Sequence, residues 1–136
     1  MSVSTTSRVV ILGGTSGIGL AIAKAATAAG ASVVVASRNP ASVKSALAEL
    51  PAGSAGRAVD ASSTEDLAAF FEFVGGFDHF AYTAAAPLVP TSLAEYTADK
   101  GRDFFELRLV APALVRSAIA GTDPIRLAQN TCASTQ

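Results

Sequence analysis

Three glycines mark the place where this chain could grip a phosphate. In Arg8-Val9-Val10-Ile11-Leu12-Gly13-Gly14-Thr15-Ser16-Gly17-Ile18-Gly19, a β-branched apolar run stops at a glycine cluster, and an alanine-rich helical pattern follows at once. Gly13, Gly17 and Gly19 form a G-x-x-x-G-x-G spacing at a strand-to-helix turn. Gly13 allows the tight turn, Gly17 lets the backbone come close to a pyrophosphate, and Gly19 lets the new helix pack on its strand. The free N–H groups of that helix and its dipole then face the anion. Thr15 and Ser16 add hydroxyl and amide donors, and Ile18 lies within the same turn. A second position decides which dinucleotide would fit. An NAD site places a carboxylate at the end of the second strand, roughly twenty residues past the loop, against the ribose hydroxyls. Here that stretch reads Ser37-Arg38-Asn39. It has no carboxylate to repel a 2′-phosphate, and Arg38 offers a planar cationic fork to hold one. The expected cofactor is NADP(H); the alternative is that Arg38 only covers a surface helix.

These residues need a scaffold, and the pattern supplies one by alternating strand and helix. Strands are expected at Arg8–Leu12, Ser32–Ala36, Arg57–Asp60 and Phe77–Thr83, with a fifth at Ile125–Ala128. Helices are expected at Gly17–Ala29, ended by Gly30, and from Pro40 to about Leu50, capped by Asn39. Ser63 and Asp66 start another in capping-box fashion, running through Phe73. After a polar loop and short helix over Pro90–Lys100, a long helix is expected from about Arg102 to Ile119, kinked at Pro112. Repeated β–α units with right-handed crossovers give an α/β fold: a doubly wound, open parallel sheet of Rossmann type, four to five strands with helices on both faces. The nucleotide belongs at the carboxyl ends of the first and fourth strands, where strand order reverses.

At 136 residues the expectation is a single dinucleotide-binding domain, with a flexible lead over residues 1–7 and a frayed tail over residues 129–136. Half the residues are hydrophobic and 15% charged, which suits a sheet buried on both faces. A net charge of −1 without a basic stretch argues against a nucleic-acid partner. Cys132 and His79 are each the sole residue of their type, which leaves no cysteine- or histidine-pair metal site. No run of eighteen or more uncharged apolar residues exists, and Met1–Ser7 lacks a hydrophobic signal core, so a soluble cytoplasmic protein with no membrane partner is expected.

The segment Leu-Gly-Gly-Thr-Ser-Gly-Ile-Gly, residues 12–19, resembles the T-G-x-x-x-G-I-G cofactor loop of the short-chain dehydrogenase/reductases, with Leu12 where that family usually has threonine. The resemblance implies that Asp60 meets the adenine amino group while Ala61 offers a backbone N–H; the alternative is a loop or helix-entry aspartate. The family's N-N-A-G segment corresponds to Tyr82-Thr83-Ala84-Ala85, where Ala84 alone matches. The backbone of Thr83, Ala84 and Ala85 would run beside the cofactor ribose, without the hydrogen bonds of the two asparagines.

The family's chemistry uses a tyrosine and, four residues later, a lysine that lowers the tyrosine's pKa and holds the nicotinamide ribose. A literal Y-x-x-x-K occurs at Tyr96-Thr97-Ala98-Asp99-Lys100. In the family this pair follows the fifth strand, whereas here it precedes the long helix. Tyr96 and Lys100 are therefore expected to be a coincidence of spacing, which leaves the catalytic residues unassigned. Leu107-Arg108-Leu109-Val110-Ala111-Pro112 resembles the family's V-N-L-x-A-P pattern and puts Arg108 where a relay asparagine stands. A structural salt bridge with Glu106 or Asp103 is the preferred reading of Arg108. If Ile125–Ala128 is the fifth strand, Gln129, Asn130 and Thr131 fill the stretch of the family's serine, and Ser134 comes late.

The resemblance, over about residues 8–120, implies an NADP(H)-binding oxidoreductase of carbonyl or alcohol substrates, impaired or incomplete in catalysis as this chain. The alternative is a non-catalytic module that senses dinucleotide or binds a partner. Leu107, Val110, Leu114 and Ile119 would form an apolar stripe without the family's companion helix, so a homo-oligomer, at least a dimer, is expected through the helix over 102–119.

Overall fold

The computed structural model describes residues 2–85 and 90–121. The order is β1 (Arg8–Leu12), α1 (Gly17–Ala28), β2 (Ser32–Ser37), α2 (Pro40–Ala48), β3 (Ala55–Ala58), α3 (Thr64–Val74) and β4 (His79–Tyr82). A 3₁₀ turn at Leu93–Glu95 then leads to α4 (Ala98–Phe105), a π-helical turn (Glu106–Val110) and α5 (Ala111–Gly121). The strands are all parallel in the order β3-β2-β1-β4, so the direction of winding reverses at β1. This is the doubly wound α/β sheet expected. The fifth strand at Ile125–Ala128 and the tail over residues 129–136 fall outside the described residues.

The two-residue period of the central strands sorts the core. Val10 and Leu12 of β1, with Val34 and Ala36 of β2, point to the face covered by α3 and α5, where Leu67, Phe70, Phe71, Val115 and Ile119 are buried. Val9, Ile11, Val33 and Val35 point the other way, onto Ala23 and Ala26 of α1. Near-continuous apolar runs are what a parallel sheet buried on both faces requires. Asn39 caps α2 by accepting the Ala41 N–H at 2.9 Å, with Pro40 at the first helical position. Gly30, at a φ of 86°, turns the chain out of α1. The N-terminal lead carries a turn in which the Ser7 N–H donates to the Ser4 carbonyl at 2.9 Å and the Ser4 N–H to Ser7 Oγ at 3.0 Å.

Several boundaries differ from expectation. β3 lies two residues early, at Ala55–Ala58 rather than Arg57–Asp60, because Asp60 begins a turn: its Oδ1 accepts the Ser62 N–H at 2.9 Å and the Ser62 hydroxyl at 2.6 Å. β4 is shorter than Phe77–Thr83, although Asp78 and Thr83 extend its bonding by donating to the Arg8 and Leu12 carbonyls. Ser63 accepts the Asp66 N–H, but Asp66 reaches the Asp60 N–H instead of closing the box on Ser63. The long helix from Arg102 to Ile119 is three segments beginning at Ala98, and Pro112 lies in the first turn of α5, where proline is tolerated, with the distortion displaced upstream into the π turn. The stripe also divides. Leu107, Leu114 and Ile119 pack on the core, whereas Val110 is exposed beside Phe104, Phe105 and Leu109. No helix among the described residues is long and apolar enough to cross a membrane.

Candidate functional site

A cleft of about 480 Å³ opens at the carboxyl ends of the strands, above the reversal at β1. From the glycine loop, Gly13, Thr15 and Ser16 line it; from the end of β2 come Ser37, Arg38 and Asn39. Asp60 and Ala61 beyond β3 and Thr83, Ala84 and Ala85 beyond β4 complete what the sequence assigned to the wall. Leu12, Val59 and Leu107 also line it and were missed. Leu12 and Val59 continue strands, so an alternation count taken to the last rung would have exposed them. Leu107 enters from the π turn, which no local pattern announces.

The glycines do different work. The Gly13 and Gly14 N–H groups both donate to the Ala36 carbonyl, at 2.7 and 3.2 Å, folding the loop back over β2. A Cβ on Gly13, whose φ is 94°, would run into the Ala84 backbone, and one on Gly19 would overlap the Gly13 carbonyl and Thr83 Oγ1. These two positions close the loop against the sheet. Gly17 differs: its φ is 51° and a Cβ there would meet nothing within 4 Å. Gly17 and Ile18, the latter 75% exposed, stand at the open start of α1 rather than in the cleft wall. Thr83 holds the arrangement, with Oγ1 donating to the Gly13 carbonyl at 3.0 Å.

The start of α1 is chemically unmet. The N-cap residue Ser16 makes no side-chain capping bond, and the first turn carries no acidic residue. Asn39, Ser63 and Thr97 each cap the helix they precede, so α1 stands apart from α2, α3 and α4. Unsatisfied N–H groups with the positive end of a dipole are an anion site. Open space lies over Gly17 beside those N–H groups, so the residues present are compatible with a dinucleotide phosphate. Arg38 is exposed at the rim, while the Asn39 side chain is committed to its cap. Hydrogen bonds from Ser62 hold the Asp60 carboxyl below its ordinary 3.8, with the Arg38 charge a smaller contribution in the same direction.

The sequence matches the family model for short chain dehydrogenases over residues 7–122. The chain belongs to the short-chain dehydrogenase/reductase family. It is 36% identical over 124 residues to the short-chain dehydrogenase/reductase ucsE of an Acremonium species, spanning 79% of this chain and 47% of that relative. Among solved structures, a variant of actinorhodin polyketide ketoreductase with NADPH superposes with a TM-score of 0.75 at 26% identity, over 88% of this chain and 49% of the other. A 3-ketoacyl-(acyl-carrier-protein) reductase from Brucella melitensis complexed with NADH shares the fold, with a TM-score of 0.79 at 21% identity over 87% of this chain and 50% of the other. The chain thus spans about half the length of these relatives.

Tyr96 and Lys100 do not line the cleft. Tyr96 is exposed in the link before α4, with its ring beside Gly101, and Lys100 Nζ donates to the Glu95 carbonyl at 3.0 Å. Thr97 intervenes as the cap of α4, so the two never share a helical face. Arg108 lies with its guanidinium 4.2 Å from the centre of the Phe104 ring. Among the described residues no group of three His, Cys, Asp or Glu could hold a metal.

Proposed function

We propose that these residues form the NADP(H)-holding part of a short-chain dehydrogenase/reductase whose chemistry is hydride exchange with a carbonyl or alcohol substrate. The observation that carries this reading is that the uncapped start of α1 and the exposed Arg38 border one cleft. Gly13, Thr15, Ser16, Gly17, Ile18 and Gly19 take the pyrophosphate side. Ser37 and Arg38 take the 2′-phosphate, with Asn39 behind them, and no acidic residue stands at that end of β2 to repel it. Asp60 and Ala61 take the adenine, and Thr83, Ala84 and Ala85 border the ribose. The nicotinamide supplies the hydride when bound.

Tyr96 and Lys100 have no part in catalysis under this reading, and within residues 1–136 the catalytic apparatus is incomplete. Titration of NADPH fluorescence, followed by absorbance assays with ketones, aldehydes and quinones, tests both points. Binding without turnover is the expected result, and turnover by the 136-residue chain would contradict it. A cytoplasmic location belongs to the same reading and rests on the sequence.

A second reading, a partner-binding module, is favoured by one feature: Phe104, Phe105, Leu109 and Val110 are 41–66% exposed along α4 and the π turn. We propose on this ground that residues 102–119 carry a homo-oligomer contact, at least dimeric. Light scattering at micromolar concentration should return twice the chain mass or more; a monomer refutes it.

A further inference from the structure

The π turn leaves one carbonyl without a partner in its own helix. The Ala111 N–H donates to the Glu106 carbonyl, five residues back, where an α-helix would send it to Leu107. Continuing the slipped ladder would assign the Leu107 carbonyl to residue 112. That residue is proline and has no N–H. The missing donor comes from the sheet: Tyr82, the last residue of β4, donates its hydroxyl to the Leu107 carbonyl at 2.6 Å. Tyr82 and Leu107 are both half-buried and pack against the same core, and Leu107 lines the cleft.

We propose that Tyr82 is a positioning residue of the dinucleotide site: its bond to the Leu107 carbonyl supplies the donor that Pro112 withholds, and so fixes the π turn that forms one wall of the cleft. The inference rests on the dinucleotide reading above and goes beyond it. Thr83, next in sequence to Tyr82, clips the glycine loop through its own hydroxyl. Consecutive residues at the end of β4 therefore tie down opposite sides of one cleft. Burial raises the Tyr82 hydroxyl above the ordinary value of 10.0, so it remains a protonated donor across neutral pH. A phenylalanine would fill much the same space and leave a half-buried carbonyl unmet.

The test is a double-mutant cycle in the full chain, comparing wild type, Tyr82→Phe, Pro112→Ala and the double variant. Three quantities are read: the thermal midpoint without ligand, the NADPH Kd, and the ring resonances of isotope-labelled tyrosine. Tyr82→Phe should lower the midpoint by about 4 °C and weaken NADPH by about tenfold. Pro112→Ala restores an N–H five residues past Leu107, in register with its carbonyl on the slipped ladder, so in that background the same change should cost less than about twofold. The Tyr82 resonance should move in step with NADPH saturation while that of Tyr96 stays. Equal losses in both backgrounds, or no loss, overturn the latch. A lower midpoint with unchanged NADPH affinity leaves Tyr82 structural only and also overturns it. Failure of wild type to bind NADPH or NADH sinks the underlying reading and the proposal with it, whereas wild-type binding with a flat cycle sinks the proposal alone.

Discussion

Two regions of the molecule leave backbone groups unmet, and they resolve them in opposite ways. At the start of α1, the N–H groups behind Ser16 receive no side-chain cap, and open space lies over Gly17. In the π turn before α5, the Leu107 carbonyl loses its helical partner and receives the Tyr82 hydroxyl from 25 residues away. The first region stays open to solvent, where an anion can satisfy it; the second is closed by the protein itself. An unmet group marks a ligand site only where space remains beside it.

Substitutions can sharpen this contrast. The largest effect should come from Gly19→Ala, whose Cβ would overlap the Gly13 carbonyl in the closed part of the loop. Urea unfolding should show a loss of about 3 kcal/mol. Gly17→Ala probes the open part: no atom stands in its way, so stability should fall by only about 1–2 kcal/mol for the positive φ. NADPH affinity should nevertheless fall more than about tenfold, because the new methyl stands where backbone and phosphate meet. If both glycines cost stability alone, the distinction between closed and open loop fails.

Ser63→Ala removes a cap that the protein satisfies internally and should cost about 1 kcal/mol without changing NADPH affinity. Asp60 provides a smaller, pH-dependent effect. Its folded-state pKa lies below 3.8, so its stabilisation is complete above 3.8 and is lost as pH falls through the lower folded value. Asp60→Asn lacks that contribution at every pH, so its thermal midpoint should lie below wild type at pH 7, with the gap closing as pH falls below 3.8. Tyr96→Phe should be the smallest, changing NADPH affinity by less than about twofold, since Tyr96 stands outside the cleft.

How much was legible in the sequence follows the same division. The β-branched runs Val9–Leu12 and Val33–Ala36, and caps such as Asn39 and Ser63, act within a few residues, so their geometry can be read locally. That Gly13 and Ser16 line the cleft was legible because a glycine turn between strand and helix has few solutions, and Arg38 joins them because β2 pairs alongside β1. The helical arm was not. Pro112 signalled a distortion, but its form depends on whether a donor exists elsewhere to meet a displaced carbonyl, and Tyr82 became that donor only through the pairing of β4 with β1. The stripe at Leu107, Val110, Leu114 and Ile119 assumed 3.6-residue periodicity across a turn with a different period, so Val110 rotated to the surface. Tyr96 and Lys100 matched a spacing, but Thr97 capped α4 between them and ended the shared face.

The proposed NADP(H) site joins Arg38 to the uncapped start of α1 across one cleft. The most direct test is fluorescence titration of NADPH and NADH against wild type and Arg38→Asp. Wild type should bind NADPH at least about tenfold more tightly than NADH, and the variant should lose or reverse that preference. An unchanged NADPH preference in Arg38→Asp, or equal affinities in wild type, would contradict the account.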